Sequence, residues 1–280
     1  MVAAPVSAAP LVSVVIPTRN SARTLDACLR SVSAQTYPAV ELVVVDNASS
    51  DDTVMIARRH ADLVLQAGRE RCAQRNAGIA AARGEFVLVG DADMTLSPDV
   101  VASCIARCGS GDAVAIDRIA CGSGFWSRCK AFESTLYHGD RVVSAARFFR
   151  RAALLDAGGY DETLLGGDDW DASMRVLRGR QLVFADALMQ NDEGRVSLRE
   201  RFVKQLYYGQ SWPRFVRKHG AGAMRRLNPA RGALVRGAGK MLRHPVLGVG
   251  LVILKAVELS GTVLGVALGR WIPHDRLYGR

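Results

Sequence analysis

The chain has 280 residues, 49% of them hydrophobic, which suits one large domain, or one domain with an appendage, and excludes wholesale disorder. Its 37 Lys and Arg residues outnumber its 27 Asp and Glu residues, so the formal charge is +10. Most of this excess lies late in the chain, because residues 195–245 hold 13 basic residues and one acid, Glu200. Such a segment favours phosphates, anionic lipid or nucleic acid as partners.

The first third of the chain alternates short strands with helices. Residues 1–10 have no basic segment and no long apolar core, so we expect a disordered N-terminus and no signal peptide. Strands are predicted at residues 11–16, 41–45, 63–66 and 86–89. Helices are predicted at residues 22–35, at 70–83, and from the end of the polar turn 46–53 to about residue 60. This alternation predicts an α/β fold with a doubly wound, mostly parallel sheet flanked by helices.

The rest of the chain is less regular. Further strands are predicted at residues 113–119, 142–149 and 182–184, and helices from Pro98 to 108, at 152–157, from 168 onward, and at 197–218. Residues 121–140 mix glycine with aromatic residues, and we interpret them as a helix bordering a cleft. The six cysteines form no C-x-x-C pair, which disfavours a zinc site or a disulfide framework and favours a reducing compartment.

The strand at residues 86–89 ends in two carboxylates one residue apart, Asp91 and Asp93. In open α/β sheets, ligands bind at the edge where such strands end. Two carboxylates at that edge suit a hard divalent cation shared with substrate phosphates. An isolated D-x-D is more often a solvated turn, so the neighbouring motifs must decide between the two interpretations.

Three other polar turns follow predicted strands, at residues 17–20, 46–49 and 68–70. Each alone is typical of an ordinary loop between a strand and a helix. Together with the D-x-D they would lie on one edge of the sheet and form a nucleotide pocket. The first strand is followed by no G-x-G-x-x-G and by no Walker A lysine, which disfavours a dinucleotide or P-loop site.

Four stretches, in order, resemble family 2 glycosyltransferases with the GT-A fold. The N-terminal half of that family is matched by VSVVIPTRN, VVVDNASSDDT and CAQRNAGIAAARGEFVLVGDADM, and the acceptor half by FFRRAALLDAGGYDETLLGGDDWDASMRVLRGR. The resemblance covers about residues 11–220. It implies a GT-A domain at 11–228, with a nucleotide-sugar half at 11–95 and an acceptor half at 96–228. Residues 229–280 then form a basic and apolar helical appendage, which we expect to be associated with a membrane.

The resemblance also implies roles for individual residues. Those expected to hold the nucleotide are Pro17, Thr18, Asn20, Asp46, Asn47 and Arg75, and Asp91 and Asp93 are expected to bind Mg²⁺ or Mn²⁺ on the diphosphate. The acid pair of the family falls on Asp168 and Asp169, and its second member implies that Asp169 is the catalytic base. Asp168 replaces a glutamate of the family, and we place Asp168 and Trp170 on the acceptor side. The alternative is that these acids simply begin a helix, where negative charge is favoured.

Several positions depart from the family pattern or have more than one possible role. Relatives often place a histidine metal ligand where Asn191 stands here, and Asn191 or Asp192 offers an oxygen ligand instead. Arg147, Arg150 and Arg151 are candidates for binding anionic groups, or they form a solvated strand edge. The Q-x-x-R-W signature of processive synthases does not occur, so we predict that one sugar is transferred per encounter.

Residues 246–269 are mostly apolar and contain only two charged residues, Lys255 and Glu258, which are three apart and able to pair on one helix face. The length suffices to span a bilayer, although a charge pair in mid-span is costly and five glycines weaken such a helix. Three interpretations stay open: a spanning helix, a helix or hairpin lying in the membrane interface, and a buried soluble element.

The combined expectation is an inverting, metal-dependent glycosyltransferase. We expect it to move one sugar from a nucleoside-diphosphate sugar, with UDP as the first candidate, to a hydroxyl of a lipid-linked or cell-envelope glycan acceptor. The expected location is cytoplasmic, peripheral to the membrane or anchored to it at the C-terminus, with no nucleic-acid partner because no nucleic-acid module accompanies the basic segment. The alternatives are a nucleotidyltransferase on a similar sheet and a non-catalytic, membrane-associated binder of sugar nucleotides.

Overall fold

The computed structural model describes residues 9–109, 111–227 and 235–268. The expectations for residues 1–8, 228–234 and 269–280 therefore lie outside the described residues. Within the described part, the strands are β1 Val12–Thr18, β2 Val40–Asp46, β3 Leu63–Gln66, β4 Phe86–Val89, β5 Met94–Leu96, β6 Ala113–Ser123, β7 Ala146–Arg150 and β8 Val183–Arg195.

Helices cover both faces and one end of this sheet. The helices of the domain are α1 Ala22–Ser33, α2 Thr53–His60, α3 Arg71–Ala81, α4 Val100–Cys108, α5 Phe125–Tyr137, α6 Arg151–Asp156 and α7 Asp168–Leu177. The later helices are α8 Leu198–Gly209, α9 Trp212–His219, α10 Ala221–Leu227, α11 Ala238–Arg243 and α12 Pro245–Leu268.

The strands form one sheet in the order β3-β2-β1-β4-β7-β6-β8-β5. The strands β1 to β4 pair in parallel, as predicted. The other half is mixed, because β7 runs antiparallel to both β4 and β6, β8 runs parallel to β6, and β5 runs antiparallel to β8. The predicted α/β sheet with flanking helices is confirmed, with its parallel character strongest in the first half.

A core on each face of the sheet fixes the direction of the strand ends. Alternate residues of β1 enter opposite cores, with Val14 against α1 and Val15 against α3. Gly78 of α3 lies so close to Val15 that a Cβ there would clash with its side chain. Because β1, β2 and β4 are parallel, their carboxyl ends lie at one edge of the sheet, and the helices packed on both faces hold the strands in place.

Several predicted elements differ from the structure. The strand predicted at 113–119 extends to Ser123 as β6, so the helix predicted within 121–140 begins only at Phe125. The strand predicted at 142–149 is confined to β7, and the strand predicted at 182–184 extends to Arg195 as β8. The three-residue β5 was not predicted. The helix predicted at 197–218 is divided into α8 and α9, with Pro213 in the first turn of α9, where a missing N–H costs no helical hydrogen bond. The interpretation of residues 121–140 as a helix bordering a cleft is confirmed by α5.

Candidate active site

A cleft of about 880 Å³ opens at the carboxyl edge of the parallel strands. Its walls come from the turn after β1, the residues after β4, the start of α3 and the start of α7. The helices α5, α8 and α12 complete its wall. The cleft therefore joins the predicted nucleotide side of the chain to the C-terminal helices.

Arg75 on α3 connects three of the predicted site carboxylates, although its side chain is fully buried. Its Nη1 donates to Asp168 Oδ2 at 2.5 Å and to Asp169 Oδ1 at 2.8 Å, and its Nη2 donates to Asp91 Oδ1 at 2.7 Å. The guanidinium group also lies 4.9 Å from the centre of the Tyr160 ring. One buried cation thus draws together acids that lie far apart in the sequence.

Arg147 on β7 makes a second bridge between the same two sides of the cleft. Its Nη2 lies 2.8 Å from Asp169 Oδ2 and 3.0 Å from Asp91 Oδ2, and its Nη1 donates to the carbonyl of Val89 at 3.2 Å. A third arginine, Arg71, donates to Asp168 Oδ1 at 2.9 Å. We call this set the aspartate cluster; its members are Asp91, Asp93, Asp168, Asp169, Arg71, Arg75 and Arg147. Its four carboxylates and three guanidinium groups leave one formal negative charge.

The two arginines keep the bridged carboxylates ionised. Burial alone would raise the pKa of Asp91 and Asp169, but Arg147 and Arg75 outweigh it and hold both pKa values below the usual range. Asp93 behaves differently, because burial and the neighbouring charge of Asp91 raise its pKa to about 6. A cation between the two carboxylates would relieve that repulsion.

The residues present fit a hard divalent cation. Asp93 Oδ1 is buried and has no hydrogen-bond partner among the described residues, so one carboxylate oxygen is left for a ligand. Both oxygens of Asp91 already contact Arg75 and Arg147, so Asp91 would share an oxygen between an arginine and the cation. Asn191 lines the cleft on β8 opposite Met94, whereas the carboxylate of Asp192 is engaged by Arg23 at 2.6 Å. The described residues contain no group of three or more His, Cys, Asp or Glu placed to hold a metal. Two carboxylates completed by substrate phosphates is a usual arrangement for Mg²⁺.

The two acids that begin α7 differ in accessibility. Gly167 precedes them at φ 77°, and a Cβ there would lie 2.5 Å from the Trp212 ring, so glycine is required for this start. Both oxygens of each acid accept hydrogen bonds from arginines, but the side chain of Asp168 is 3% exposed and that of Asp169 is 22% exposed. Asp169 is therefore the acid of this pair that a substrate can reach.

The residues predicted to hold the nucleotide fall into two groups. Pro17, Thr18 and Asn20 line the cleft, as do the residues after β4. Asp46, Asn47 and the fully buried Arg75 are not among the described cleft-lining residues. The Asp46 carboxylate is buried, and it accepts hydrogen bonds from the Thr18 hydroxyl at 3.1 Å and from the Ser49 N–H at 2.8 Å. Asn47 donates to the carbonyl of Arg69 at 2.8 Å, so these two residues hold neighbouring turns in place.

Trp170, predicted on the acceptor side, lines the cleft. Its indole Nε1 donates to the carbonyl of Val143 at 2.8 Å, and its ring packs against Trp212 and Phe215. The ring is thus fixed by both packing and a hydrogen bond, which makes it a rigid part of the wall.

Among the three candidate arginines, the structure brings only Arg147 into the described cleft wall. Arg150 pairs with Glu85 and stacks on the Phe86 ring, and Arg151 donates to backbone carbonyls of α3. Arg118 lines the cleft without having been predicted, and it forms no ion pair or side-chain hydrogen bond with any residue that the structure describes. Arg118 lies in the stretch 113–119, which was predicted as a strand, and nothing in the sequence apart from its charge marked it as a site residue.

A second set of charges lines the same cleft. We call it the glutamate cluster; its members are Lys130, Glu133, Glu193, Arg201, Lys255 and Glu258. Arg201 Nη2 and Lys255 Nζ each lie 2.6 Å from Glu258, and both Lys130 and Lys255 pair with Glu133. The predicted pairing of Lys255 with Glu258 is confirmed, but it belongs to a network of three acids and three bases. The two glutamates that meet the lysines are at most 9% exposed.

Comparison with known proteins identifies the family. A model described as Glycosyl transferase family 2 matches residues 13–155, about half of the chain. The chain belongs to glycosyltransferase family 2. A PGL/p-HBAD biosynthesis glycosyltransferase of Mycobacterium bovis (strain BCG / Pasteur 1173P2) is 31% identical over 188 residues, which are 63% of this chain and 73% of that protein. The match to the family model and the named relatives show that the chain is a transferase.

Another relative of this family 2 chain is a Pre-mycofactocin glycosyltransferase of Mycobacterium tuberculosis (strain CDC 1551 / Oshkosh). It is 31% identical over 225 residues, which are 71% of this chain but 46% of that protein, so the chain spans about half of its length. A mannosyltransferase of Pyrobaculum calidifontis, solved with GDP-Man and Mn²⁺, has a TM-score of 0.65 at 20% identity over 95% of this chain and 88% of that one. S. aureus TarS 1-349 with UDP-GlcNAc has a TM-score of 0.54 at 18% identity, over 93% of this chain and 91% of that one. These likenesses establish the GT-A type of fold.

Proposed function

We propose that this family 2 glycosyltransferase is an inverting, metal-dependent enzyme. It transfers one sugar from a nucleoside-diphosphate sugar to a hydroxyl of a lipid-linked or cell-envelope glycan acceptor. The observation that carries the proposal is the double bridge in the aspartate cluster. Asp91 and Asp169 face one cleft and share the same two arginines, Arg75 and Arg147. A donor diphosphate beside Asp91 and an acceptor hydroxyl beside Asp169 would then meet across that cleft.

Asp91 and Asp93 are the residues that would hold Mg²⁺ or Mn²⁺, whose bound charge neutralises the departing diphosphate as a Lewis acid. Asp169 accepts the proton of the acceptor hydroxyl while the hydroxyl oxygen bonds to the anomeric carbon. The bond from that carbon to the phosphate oxygen breaks, and the nucleoside diphosphate leaves with the electron pair. Attack from the face opposite the leaving group inverts the anomeric configuration.

The arginines have a definite task in this mechanism. Arg75 and Arg147 orient Asp169 and keep it ionised, so the base is ready before the acceptor arrives. Arg118 adds a cation that faces the cleft and can pair with phosphate on either substrate. Pro17, Thr18 and Asn20 contribute the nucleotide wall, while Asp46 and Asn47 act on it by holding the turns.

The donor nucleotide is proposed as UDP first and GDP second. Proteins of the same fold were solved with GDP-Man and Mn²⁺ and with UDP and Mn²⁺, which supports a diphosphate bound with a divalent cation. A membrane-associated acceptor is supported by α12, which has the length and apolar composition of a membrane helix and also lines the cleft. A cytoplasmic, membrane-peripheral location is supported by six free cysteines, of which five are buried.

The experiment is release of nucleoside diphosphate from UDP-, GDP- and dTDP-sugars in the presence of Mn²⁺. Turnover of one donor with an inverted glycosidic product supports the proposal. No turnover with any donor, together with unchanged activity of Asp91→Ala and Asp169→Asn variants in cells, would overturn it. Release of pyrophosphate would indicate a nucleotidyltransferase, and binding without turnover would indicate a sugar-nucleotide binder.

A further inference from the structure

The helix α12 carries an apolar face that no described residue covers. We define this apolar face by Val246, Val249, Val252, Ile253, Leu259 and Val263, whose exposed fractions run from 44% for Ile253 to 68% for Val246. At about 100° per residue these six positions fall on one side of the helix, so they form one apolar face along it. A continuous exposed apolar surface of this kind marks a site of protein or membrane interaction.

The opposite face of α12 is packed against the domain along its length. A Cβ at Gly261 would lie 2.5 Å from the carbonyl of Phe202, and one at Gly250 would lie 2.6 Å from Cys129 Sγ. Leu251 and Leu254 are at most 1% exposed between these two glycines. The helix is therefore held against α5 near its start and against α8 near its end.

Both charged side chains of α12 point toward this packed side. Lys255 and Glu258 join the glutamate cluster with partners on α5 and α8. If α12 crossed a bilayer in this packing, it would carry Glu133 and Arg201 with it into the hydrocarbon. The cost of burying those charges in lipid excludes a crossing of the packed helix. A helix lying in the plane of the interface needs no such burial.

The charge around α12 favours an anionic bilayer over a second copy of this chain. The helix is preceded by α11, where Lys240 and Arg243 are exposed, whereas Arg236 before it pairs with Asp140. Basic residues beside an interfacial helix attract anionic headgroups. A second copy docked on the same face would present the same cations.

We propose that α12 lies flat at the headgroup–acyl boundary of an anionic bilayer, with its apolar face in the lipid and its glycine face on the domain. Leu259 belongs both to the apolar face and to the wall of the cleft, and Lys255 and Thr262 line the cleft beside it. This orientation places the mouth of the cleft at the membrane surface. A lipid-linked acceptor enters beside Leu259, and this last step rests on the proposed function.

The first test is flotation of the full chain with vesicles of about 3:1 phosphatidylcholine to phosphatidylglycerol, with phosphatidylcholine alone as the comparison. We expect the protein to float with the anionic vesicles. A Val252→Asn, Val263→Asn variant removes apolar area without changing charge, and should lower the bound fraction about tenfold or more. Met55→Asn, at a 48% exposed position on α2, is the matched control and should float like the wild type.

The second test separates a flat helix from a spanning one. In a Cys121→Ser background, a membrane-impermeant maleimide added outside the vesicles should label both His244→Cys and Leu268→Cys. Labelling of one end alone would overturn the flat orientation. A wild type that stays unbound, or that forms a dimer lost in the Val252→Asn, Val263→Asn variant, would overturn the membrane proposal.

The proposed function has its own readout. Thermal stabilisation by sugar nucleotide and Mn²⁺ should be the same in the wild type and in the Val252→Asn, Val263→Asn variant, because neither residue lines the aspartate cluster. Loss of flotation with donor stabilisation retained supports both proposals. Flotation without any donor response would count against glycosyl transfer while leaving the membrane orientation intact.

Discussion

Two clusters of buried charge line the same cleft, and they differ in balance and access. The aspartate cluster has one carboxylate more than its arginines compensate, and Asp91 and Asp169 are each 22% exposed. The glutamate cluster has three acids against three bases, and Glu133 and Glu258 are nearly closed to solvent. Similar residue types therefore form a site that can bind a cation in the aspartate cluster and a buried structural ion-pair network in the glutamate cluster.

This difference indicates how to recognise function within a network of ion pairs. A structural network satisfies its own charges, because any excess buried charge is costly. Asp93 departs from that rule, since it has a buried oxygen without a partner among the described residues and a raised pKa. Substitutions in the two clusters should thus affect different quantities, turnover in one and stability in the other.

The largest expected effect is on turnover in Asp169→Asn. Replacing the base removes the proton acceptor, so kcat should fall by about 10²- to 10⁴-fold. The amide keeps the shape of the side chain, so donor binding should stay close to that of the wild type. The lost pairing with Arg75 and Arg147 should lower stability less than in Glu133→Gln, because Asp169 is 22% exposed and both arginines keep Asp91 as a partner. Steady-state nucleoside diphosphate release, with donor binding measured in parallel, checks this. Turnover within a few-fold of the wild type would remove Asp169 from the mechanism.

Glu133→Gln should show the reverse pattern. The side chain is 4% exposed and pairs with Lys130 and Lys255, and breaking a buried ion pair costs about 3–5 kcal/mol. Urea unfolding should report that loss, while turnover per folded molecule should remain near the wild-type value. A large fall in kcat with unchanged stability would contradict the division between the two clusters.

A smaller effect is expected for Arg147→Ala. The change removes the bridge from Arg147 to Asp169 and Asp91 and its hydrogen bond to the Val89 carbonyl, and the loss of the charged hydrogen bond to the base should alone reduce kcat about tenfold. Because Arg147 lowers the pKa of Asp169, its removal should raise that pKa and move the acidic limb of the rate profile to higher pH. Arg147→Lys keeps the charge and should restore part of the shift. An acidic limb identical in all three proteins would exclude this role.

The smallest expected effect appears only in acid. Burial would raise the pKa of Glu133, but Lys130 and Lys255 outweigh it and lower the pKa to about 2 from an ordinary value of 4.5. A depressed folded-state pKa contributes stability that is complete above the ordinary value and is lost as pH falls toward the folded value. Unfolding free energy should therefore fall more steeply from pH 4.5 to 2 in the wild type than in Glu133→Gln. Parallel curves would show that Glu133 is not held ionised.

Sequence patterns predicted the parallel half of the sheet because its signals are local. Each strand there is a short apolar run followed by a polar turn, and α1 shows Leu25, Cys28, Leu29 and Val32 at helical spacing. The later strands depend on distant pairing. β8 continues to Arg195 through polar residues with no apolar pattern, since β6 and β5 hold it on either side.

The same limit applies to the site. The strand-end motifs predicted Asp91 at one sheet edge and the family resemblance implied site roles for Arg75 and Asp169, and the structure brings the three into contact through hydrogen bonds. Their roles in binding and catalysis stay predictions. The sequence showed the pair Lys255 and Glu258 by helical spacing, but not its partners on α5, β8 and α8. Those partners are set by the tertiary packing of separate elements, for which a single sequence carries no local signal.

The most direct test of the central claim is the Mn²⁺-dependent part of donor binding in the wild type and in Asp93→Asn. If Asp91 and Asp93 hold the cation that neutralises the diphosphate, Mn²⁺ should increase the thermal stabilisation given by the preferred sugar nucleotide. That increment should disappear in Asp93→Asn, while Glu133→Gln should retain it. An equal Mn²⁺ increment in Asp93→Asn and wild type would contradict the account.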